Sequence, residues 1–202
     1  MRLPALLLVF ALAAFAATAP ARADDGDVLI QAGHEGRPAS CAPHHVTACN
    51  LGTGAQGAQE REWTVIVADE ATSALRAAGY TVLRRPADYD GSDSARAAVF
   101  IHFDGAQPCT SGASLGFPET TSRSFVDAWE QRYRAWFPYR FVGENFTVNE
   151  HHYYGFRKVD APEKMLIEFG EMTCPAQFAW MAPRLREMGT RLAAFLMEQI
   201  PR

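Results

Sequence analysis

Three short apolar segments of the chain each end in a side chain that could do chemistry. A continuous apolar run of this length is typical of a strand buried in a parallel sheet. In open α/β sheets the ligand site lies at the carboxyl ends of the strands, so we expect the three terminal side chains to meet in one site. The segments are 28–34, 97–102 and 164–168, which end in His34, His102 and Glu168.

Two imidazoles and a carboxylate are residue types that suit a zinc ion. A catalytic zinc site has three protein ligands and one open position, and it needs a free carboxylate to move protons. His34, His102 and one acidic residue could be the ligands, which leaves Glu168 as the free carboxylate. One histidine after a strand is usually an ordinary loop residue, but two histidines and a glutamate at equivalent strand ends favour a common site.

The elements that would position these residues alternate between strand and helix patterns. This order predicts an α/β domain, a three-layer sandwich with a mostly parallel central sheet flanked by helices. A long loop follows the first strand and runs to about residue 59, a length that indicates a functional loop. The predicted strands are 27–33, 80–83, 97–102 and 164–169. The predicted helices are 60–78, 120–136 and 176–200, the last interrupted by Pro183, and segments 104–118 and 137–160 are predicted to be loop or irregular.

The first 23 residues predict a signal peptide. Arg2 precedes an apolar stretch over residues 3–17, and Ala21-Arg22-Ala23 fits an A-x-A cleavage site. We therefore expect an exported protein, in the periplasm or outside the cell, with one domain over residues 24–202 and no membrane attachment after cleavage. The net charge of -4 argues against a nucleic-acid partner.

Four cysteines are an even number, which suits disulfide bonds in an oxidising compartment. Cys41 and Cys49 lie in one loop and are the natural partners, although a metal site formed with His44 and His45 is the alternative. Cys109 follows the His102 strand and Cys174 follows the Glu168 strand, so if those strands are neighbours a bridge between the two cysteines would tie two loops of the site together. Three pairings are possible, and the spacing does not choose among them. The cysteines are Cys41, Cys49, Cys109 and Cys174.

Five segments, in order, resemble the zinc-dependent N-acetylmuramoyl-L-alanine amidases, which cut peptidoglycan. The likeness spans about residues 27–200. The resemblance implies a zinc-dependent hydrolase for the amide between N-acetylmuramic acid and L-alanine, acting as a monomer on peptidoglycan or muropeptides. The segments are AGHEG (32–36), EREWTV (60–65), LRAAGYTVL (75–83), FIHFD (100–104) and AP with MLIEFG (161–162 and 165–170).

The resemblance also assigns roles to individual residues. It implies that His34, Glu60 and His102 bind Zn²⁺ and that Glu168 is the catalytic base. The second ligand is the open point, since Glu62 is two residues further along the predicted helix and points to another face. Counting back from Gly79 places the family's ligand on Glu60 rather than Glu62.

Two acidic residues depart from the family pattern near these motifs. Glu35 replaces the second glycine of the turn after the first strand, which would add a charge beside the metal. Glu171 replaces a phenylalanine three residues after Glu168. These differences bear on the substrate more than on the metal site.

Other motifs leave alternatives open. Residues 112–116 fit the G-x-S-x-G pattern of serine hydrolases, so an esterase that uses Ser114 is one alternative, although Pro118 follows where that motif needs a helix. A protein of the same fold that binds the cell wall without turnover is the other. Segment 151–154 could line the cleft and supply a histidine that stabilises an oxyanion, or it could be an aromatic surface loop.

Overall fold

The computed structural model describes residues 25–37, 50–89 and 91–202. Strands and helices alternate along the chain, as the apolar patterns predict. The strands are β1 (Asp25–Ala32), β2 (Gly54–Ala55), β3 (Ala58–Gln59), β4 (Val82–Arg85), β5 (Asp93–Asp104), β6 (Ala113–Gly116), β7 (Phe141–Glu144), β8 (Val159–Asp160) and β9 (Glu163–Glu171). The helices are α1 (Glu60–Ala77), α2 (Arg123–Arg134), α3 (Val148–His151), α4 (Pro175–Met181) and α5 (Leu185–Gln199), with 3₁₀ turns at Tyr154–Arg157 and Ala182–Arg184.

Seven strands form one mostly parallel sheet in the order β4-β1-β5-β9-β6-β7, with β8 also paired to β5. β1, β4, β5, β8 and β9 run in the same direction. β6 is antiparallel to β9 and carries β7 parallel to itself. The three strands that lead to His34, His102 and Glu168 are therefore adjacent, with β5 in the middle.

The two faces of the sheet carry separate apolar cores because successive side chains of a strand point to opposite sides. Ile30, Val99 and Ile167 belong to the larger core, which buries the apolar sides of α1, α2 and α5. Phe100 and Leu166 belong to a smaller core, which is closed by the residues between α3 and β8. The α/β sandwich with a mostly parallel sheet is thus confirmed, with the long helices packed on one core and short helical turns on the other.

Two predicted elements differ from the structure, and a third has the predicted form. The loop predicted over 104–118 contains β6, a completely buried strand. The irregular segment predicted over 137–160 contains β7, α3 and β8. The terminal helix is divided into α4 and α5 around Pro183, as predicted, because a proline within a helix removes a backbone donor and blocks the preceding turn.

Several predictions fall on residues outside the described part of the chain. They are the signal peptide over 1–23 and the loop that contains Cys41, Cys49, His44 and His45. Within residues 25–37, 50–89 and 91–202, none of the helices combines the length and the apolar character needed to cross a bilayer.

Candidate functional site

The carboxyl ends of β1, β5 and β9 bring three of the predicted residues to one edge of the sheet. Ala32 pairs with Ile101, and His102 pairs with Glu168 on the next strand. His102 and Glu168 each follow by two positions a residue of the smaller core, so they lie on that face of the sheet. The turn after β1 carries His34 to the same edge, where its ring meets the ring of His102 with 4.9 Å between centroids.

Helix α1 supplies the fourth residue, because Glu60 is its first residue and is only 3% exposed. Glu60 Oε1 lies 3.0 Å from His102 Nδ1 and 3.3 Å from His34 Nε2. Its two carboxylate oxygens also accept hydrogen bonds from the backbone N–H groups of Phe103 (3.1 Å) and Thr53 (2.8 Å). His34, Glu60 and His102 can each offer one ligand atom such that all three atoms lie within 4.8 Å of one another.

Glu62 has a different place in the structure. Its side chain is exposed and accepts a hydrogen bond from the Gln59 backbone N–H, which forms a capping box at the start of α1. A capping box satisfies N–H groups that the first turn of a helix leaves without partners. The structure therefore brings Glu60, rather than Glu62, to the two histidines.

The turn after β1 is shaped so that the three side chains can approach closely. His34 has φ +61°, a left-handed conformation that is uncommon for a residue with a side chain. A Cβ at Gly33 would lie 2.5 Å from the His102 ring, so only glycine fits there. The Thr64 hydroxyl donates to the Gly33 carbonyl at 2.7 Å and ties the turn to α1. Backbone strain of this kind is common where a site has to be held in one geometry.

The hydrogen bonds of His34 show that the cluster suits a cation. His34 Nδ1 lies 2.7 Å from the backbone carbonyl of Asn50, which can only accept, so Nδ1 carries the proton. The lone pair on Nε2 then faces Glu60 Oε1, which has no proton to give once it is ionised. Two electron-rich atoms repel at this distance unless a cation, either a proton or a metal ion, lies between them. Nitrogen and carboxylate oxygen are zinc ligands, so the residues fit Zn²⁺.

The charges of the site favour the protonation states that a metal needs. Burial opposes ionisation of Glu60, but hydrogen bonds and attraction from His102 and His34 outweigh it and hold the pKa of Glu60 well below its usual range. Burial lowers the pKa of His102 and so favours its neutral form. An ionised carboxylate and neutral imidazoles are the forms that bind metal ions.

Glu168 lies beside this cluster in a different state. Burial, followed by repulsion from Glu60, Asp104 and Glu150, raises the pKa of Glu168 well above its usual range. Its Oε2 is buried, and among the described residues no hydrogen-bond partner reaches it. A carboxyl group of raised pKa and no fixed partner can take up a proton and release it again, which is the requirement for a general acid and base.

All four residues line one cleft with a volume of about 620 Å³. Its wall also includes Arg37 and the side of segment 147–154 that faces the sheet. Of the histidines in that segment, His152 lines the cleft, whereas His151 is not among the lining residues. The segment is thus part of the cleft wall, and an oxyanion role for His152 stays a prediction.

Ser114 does not lie on a nucleophile elbow. It is in the middle of β6, 0% exposed, and its hydroxyl donates to the buried carboxylate of Glu150. A serine nucleophile needs an exposed hydroxyl on a sharp turn between a strand and a helix. The geometry therefore gives no support to an esterase that uses Ser114.

The two acidic departures from the family pattern both have partners away from the metal cluster. Glu35 accepts a hydrogen bond from Arg84 at 2.6 Å, and Arg84 also pairs with Asp69, so the charge of Glu35 is compensated. Glu171 is completely buried and accepts from the backbone N–H groups of Cys109 and Ser111, each at 2.7 Å. Glu171 therefore anchors the loop between β5 and β6.

A disulfide joins Cys109 in that loop to Cys174 at the start of α4. This is the pairing expected if the His102 and Glu168 strands are neighbours, and β5 and β9 are paired in the sheet. The bridge and the Glu171 carboxylate hold the same loop from two sides.

Removing the bridge should lower the free energy of unfolding by about 2–4 kcal/mol, since a crosslink over a long loop restricts the unfolded chain. The Cys109→Ser, Cys174→Ser double variant, compared with the parent by urea unfolding under oxidising conditions, measures this loss. The parent treated with a thiol reductant is the control and should unfold like the variant. Equal stability of parent and variant would show that Glu171 alone holds the loop.

Segment 151–154 was expected to line the cleft, but the contact of its Tyr153 with His102 and the part played by Gln31 were not predicted from the sequence. Tyr153 places its hydroxyl 3.1 Å from His102 Nε2, and it also contacts Gln31 on β1. The detectable signal was Gln31, a polar residue inside the apolar run of β1. A buried polar side chain needs a hydrogen-bond partner, and the partner of Gln31 is Tyr153, which lines the cleft.

Comparison with known proteins connects this geometry to a group of solved structures. No family model and no curated protein matches the chain. Its structure is similar to Cwp6 from Clostridium difficile (20% identity, TM-score 0.64), over 90% of this chain and 30% of that one. It is also similar to the N-acetylmuramoyl-L-alanine amidase AmiC2 of Nostoc punctiforme (17%, 0.62) and to the catalytic domain of the amidase CwlV from Paenibacillus polymyxa (13%, 0.60), over 87% of this chain and 97% of each of those. The protein therefore has the fold of these amidases, although it spans less than a third of the Cwp6 chain.

Proposed function

We propose that this protein hydrolyses the amide bond between N-acetylmuramic acid and L-alanine in peptidoglycan or its soluble fragments, with a zinc ion held by His34, Glu60 and His102. The observation that carries the proposal is the convergence of these three side chains beside the unpartnered carboxylate of Glu168. The fold shared with known amidases supports the choice of an amide as substrate.

His34, Glu60 and His102 would hold the zinc ion at the side of the cleft that they line. A bound zinc supplies Lewis acidity, which polarises a carbonyl and makes water more acidic. His34 is fixed because its Nδ1 donates to the Asn50 carbonyl, and Glu60 is fixed because its Oε2 accepts from the Thr53 N–H, so the ligand geometry is formed before substrate arrives. Preorganisation of this kind reduces the cost of reaching the transition state.

Glu168 moves the protons of the reaction. Its Oε2 takes a proton from water as the water oxygen bonds to the carbonyl carbon of the muramic acid lactyl group. The same carboxyl group then gives the proton to the alanine nitrogen as the carbon–nitrogen bond breaks. The direction of this pKa shift suits the first step, because a carboxylate whose pKa is raised is a stronger base toward water.

The proposal also includes the compartment in which the protein acts. We propose export by cleavage after Ala23 and a monomeric catalytic domain over residues 24–202. The Cys109–Cys174 bridge supports this, because disulfides persist in oxidising compartments outside the cytosol.

Metal analysis combined with mass spectrometry of digested muropeptides tests the proposed activity. We expect the mature protein to hold one zinc ion and to release glycan and peptide products, the peptide with a free alanine amine. A chelator should abolish release of these products, and added zinc should restore it, because the zinc ion is the group proposed to polarise the carbonyl.

Each contrary outcome would identify a different function for this protein. Sedimentation with peptidoglycan, without zinc and without products, would show a wall-binding protein of this fold. Ester cleavage that resists a chelator but stops with a serine-directed reagent would show an esterase that uses Ser114. Either result would contradict the proposed amidase.

A further inference from the structure

The side chain of Gln31 is 1% exposed and has a fixed orientation. Its amide nitrogen lies 3.3 Å from the backbone carbonyl of Pro86, which can only accept a hydrogen bond. The amide oxygen therefore points the other way, to the hydroxyl of Tyr153 at 2.8 Å. That oxygen can only accept, so the Tyr153 hydroxyl donates its single proton to Gln31.

The oxygen of Tyr153 then has only lone pairs left for its second neighbour. That neighbour is His102 Nε2, 3.1 Å away, which must donate. A neutral imidazole carries one proton, so a proton on Nε2 leaves the lone pair on Nδ1. Nδ1 is the nitrogen that lies 3.0 Å from Glu60 Oε1, on the side of the proposed zinc ion.

From this arrangement we propose that Tyr153 and Gln31 are positioning residues that fix His102 in the tautomer able to bind zinc through Nδ1. The inference rests on the proposed function, since it takes His102 as a ligand. Metal-bound histidines generally donate their second ring N–H to an acceptor, and that acceptor sets the ring orientation and the metal affinity. Here the acceptor is the Tyr153 hydroxyl, which could also act as a donor to His102 Nε2. Gln31 prevents this because it already accepts the single proton of that hydroxyl.

His34 and His102 solve the same problem in different ways. His34 donates from Nδ1 to the Asn50 carbonyl, which has no alternative role, and presents Nε2 to Glu60. His102 depends instead on two side chains. The Tyr153 ring is itself held by Phe100 and Phe156, with ring centroids 5.2 and 5.7 Å away, so the hydroxyl has little freedom to turn aside.

Zinc affinity of variants tests the proposal without any measurement of turnover. Tyr153→Phe keeps the ring and removes the acceptor, so we expect the zinc dissociation constant, from competition with a chelating dye, to rise about 10- to 100-fold. Gln31→Met should also weaken binding, because the freed hydroxyl can donate to Nε2 and move the ring proton to Nδ1. The double variant should be no weaker than the weaker of the two single variants, since both act through one chain of hydrogen bonds.

Nitrogen NMR of histidine-labelled, metal-free protein gives a second readout that a purely structural role would not change. The fraction of His102 with its proton on Nε2 should be larger in the parent than in Tyr153→Phe, because in the variant nothing opposes the pull of Glu60 on the proton at Nδ1. Tyr80→Phe is the matched control, because its buried hydroxyl donates to the Ile200 carbonyl far from the cleft. Its zinc affinity and its tautomer signal should equal those of the parent.

The outcomes separate this proposal from the proposed activity. A folded Tyr153→Phe protein with the parent's zinc affinity and the parent's ratio of His102 tautomers would overturn the positioning role, even if the parent cleaves muropeptides. A parent that binds zinc and responds to these variants but cleaves no muropeptide would overturn the activity alone. A parent that binds no zinc would overturn both.

Discussion

Replacing Glu168 with glutamine should lower kcat for muropeptide cleavage about 100- to 10,000-fold, the usual contribution of a general acid and base. An amide of the same shape cannot accept a proton from water or pass one to the alanine nitrogen. Zinc content should stay at the parent's level, because Glu168 is outside the ligand cluster of His34, Glu60 and His102. Mass spectrometry of the products and metal analysis of the same sample give both measurements.

The variant should fold at least as well as the parent. Glu168 has a raised pKa because its charged form is buried near other carboxylates, and glutamine removes that charge. Glu163→Gln, at the opposite end of β9, is the control for a general effect on the strand and should keep the parent's activity. Full activity of Glu168→Gln would remove Glu168 from the mechanism, and loss of zinc would make it a ligand instead.

The strands that carry the site could be predicted because they are buried on both faces. A strand covered on both sides is a continuous apolar run, and a polar residue that could act in a site marks the end of that run. β1, β5 and β9 all have this form, and the observed register places His102 opposite Glu168. The adjacency of the three strands was inferred from the rule for ligand sites in α/β sheets rather than from any one residue.

β6 could not be recognised because its composition is that of a turn. The strand is Ala113-Ser114-Leu115-Gly116, with glycine before it and at its end, and none of its residues is β-branched. What makes it a strand is the available edge of β9, to which it adds in the antiparallel direction. Tertiary context of this kind overrides local preference.

The ligand cluster was easier to predict than its supporting contacts. Acidic residues near a helix start are favoured by the helix dipole whatever their function, so Glu60 and Glu62 looked alike. The structure distinguishes them by burial and by the capping box. Tyr153 and Gln31 are 122 positions apart, and no local pattern relates them. Contacts of that range become visible only when the fold is known.

Replacing Glu60 with glutamine should weaken zinc binding by more than about 100-fold, the upper end of the losses seen for partners outside the ligand set. The amide removes the negative charge that His34 and His102 share, and its nitrogen cannot accept from the Thr53 or Phe103 N–H groups. Competition with a chelating dye measures the dissociation constant. Activity should fall in parallel and should recover in part at high zinc concentration, since binding rather than proton transfer is lost.

Glu62→Gln is the decisive comparison, because it makes the same chemical change two residues further along the same turn. Glu62 contributes to the capping box, and the side-chain oxygen of glutamine can accept the same hydrogen bond from the Gln59 N–H, so this replacement should change stability little and leave zinc affinity unchanged. Glu60→Gln, by contrast, should lose much of its zinc affinity, and this loss should not depend on how well the helix is capped. If the two variants bound zinc equally well, or if Glu62→Gln lost the metal, the proposed ligand set would be wrong, and with it the explanation of why Glu60, rather than Glu62, is buried beside the two histidines.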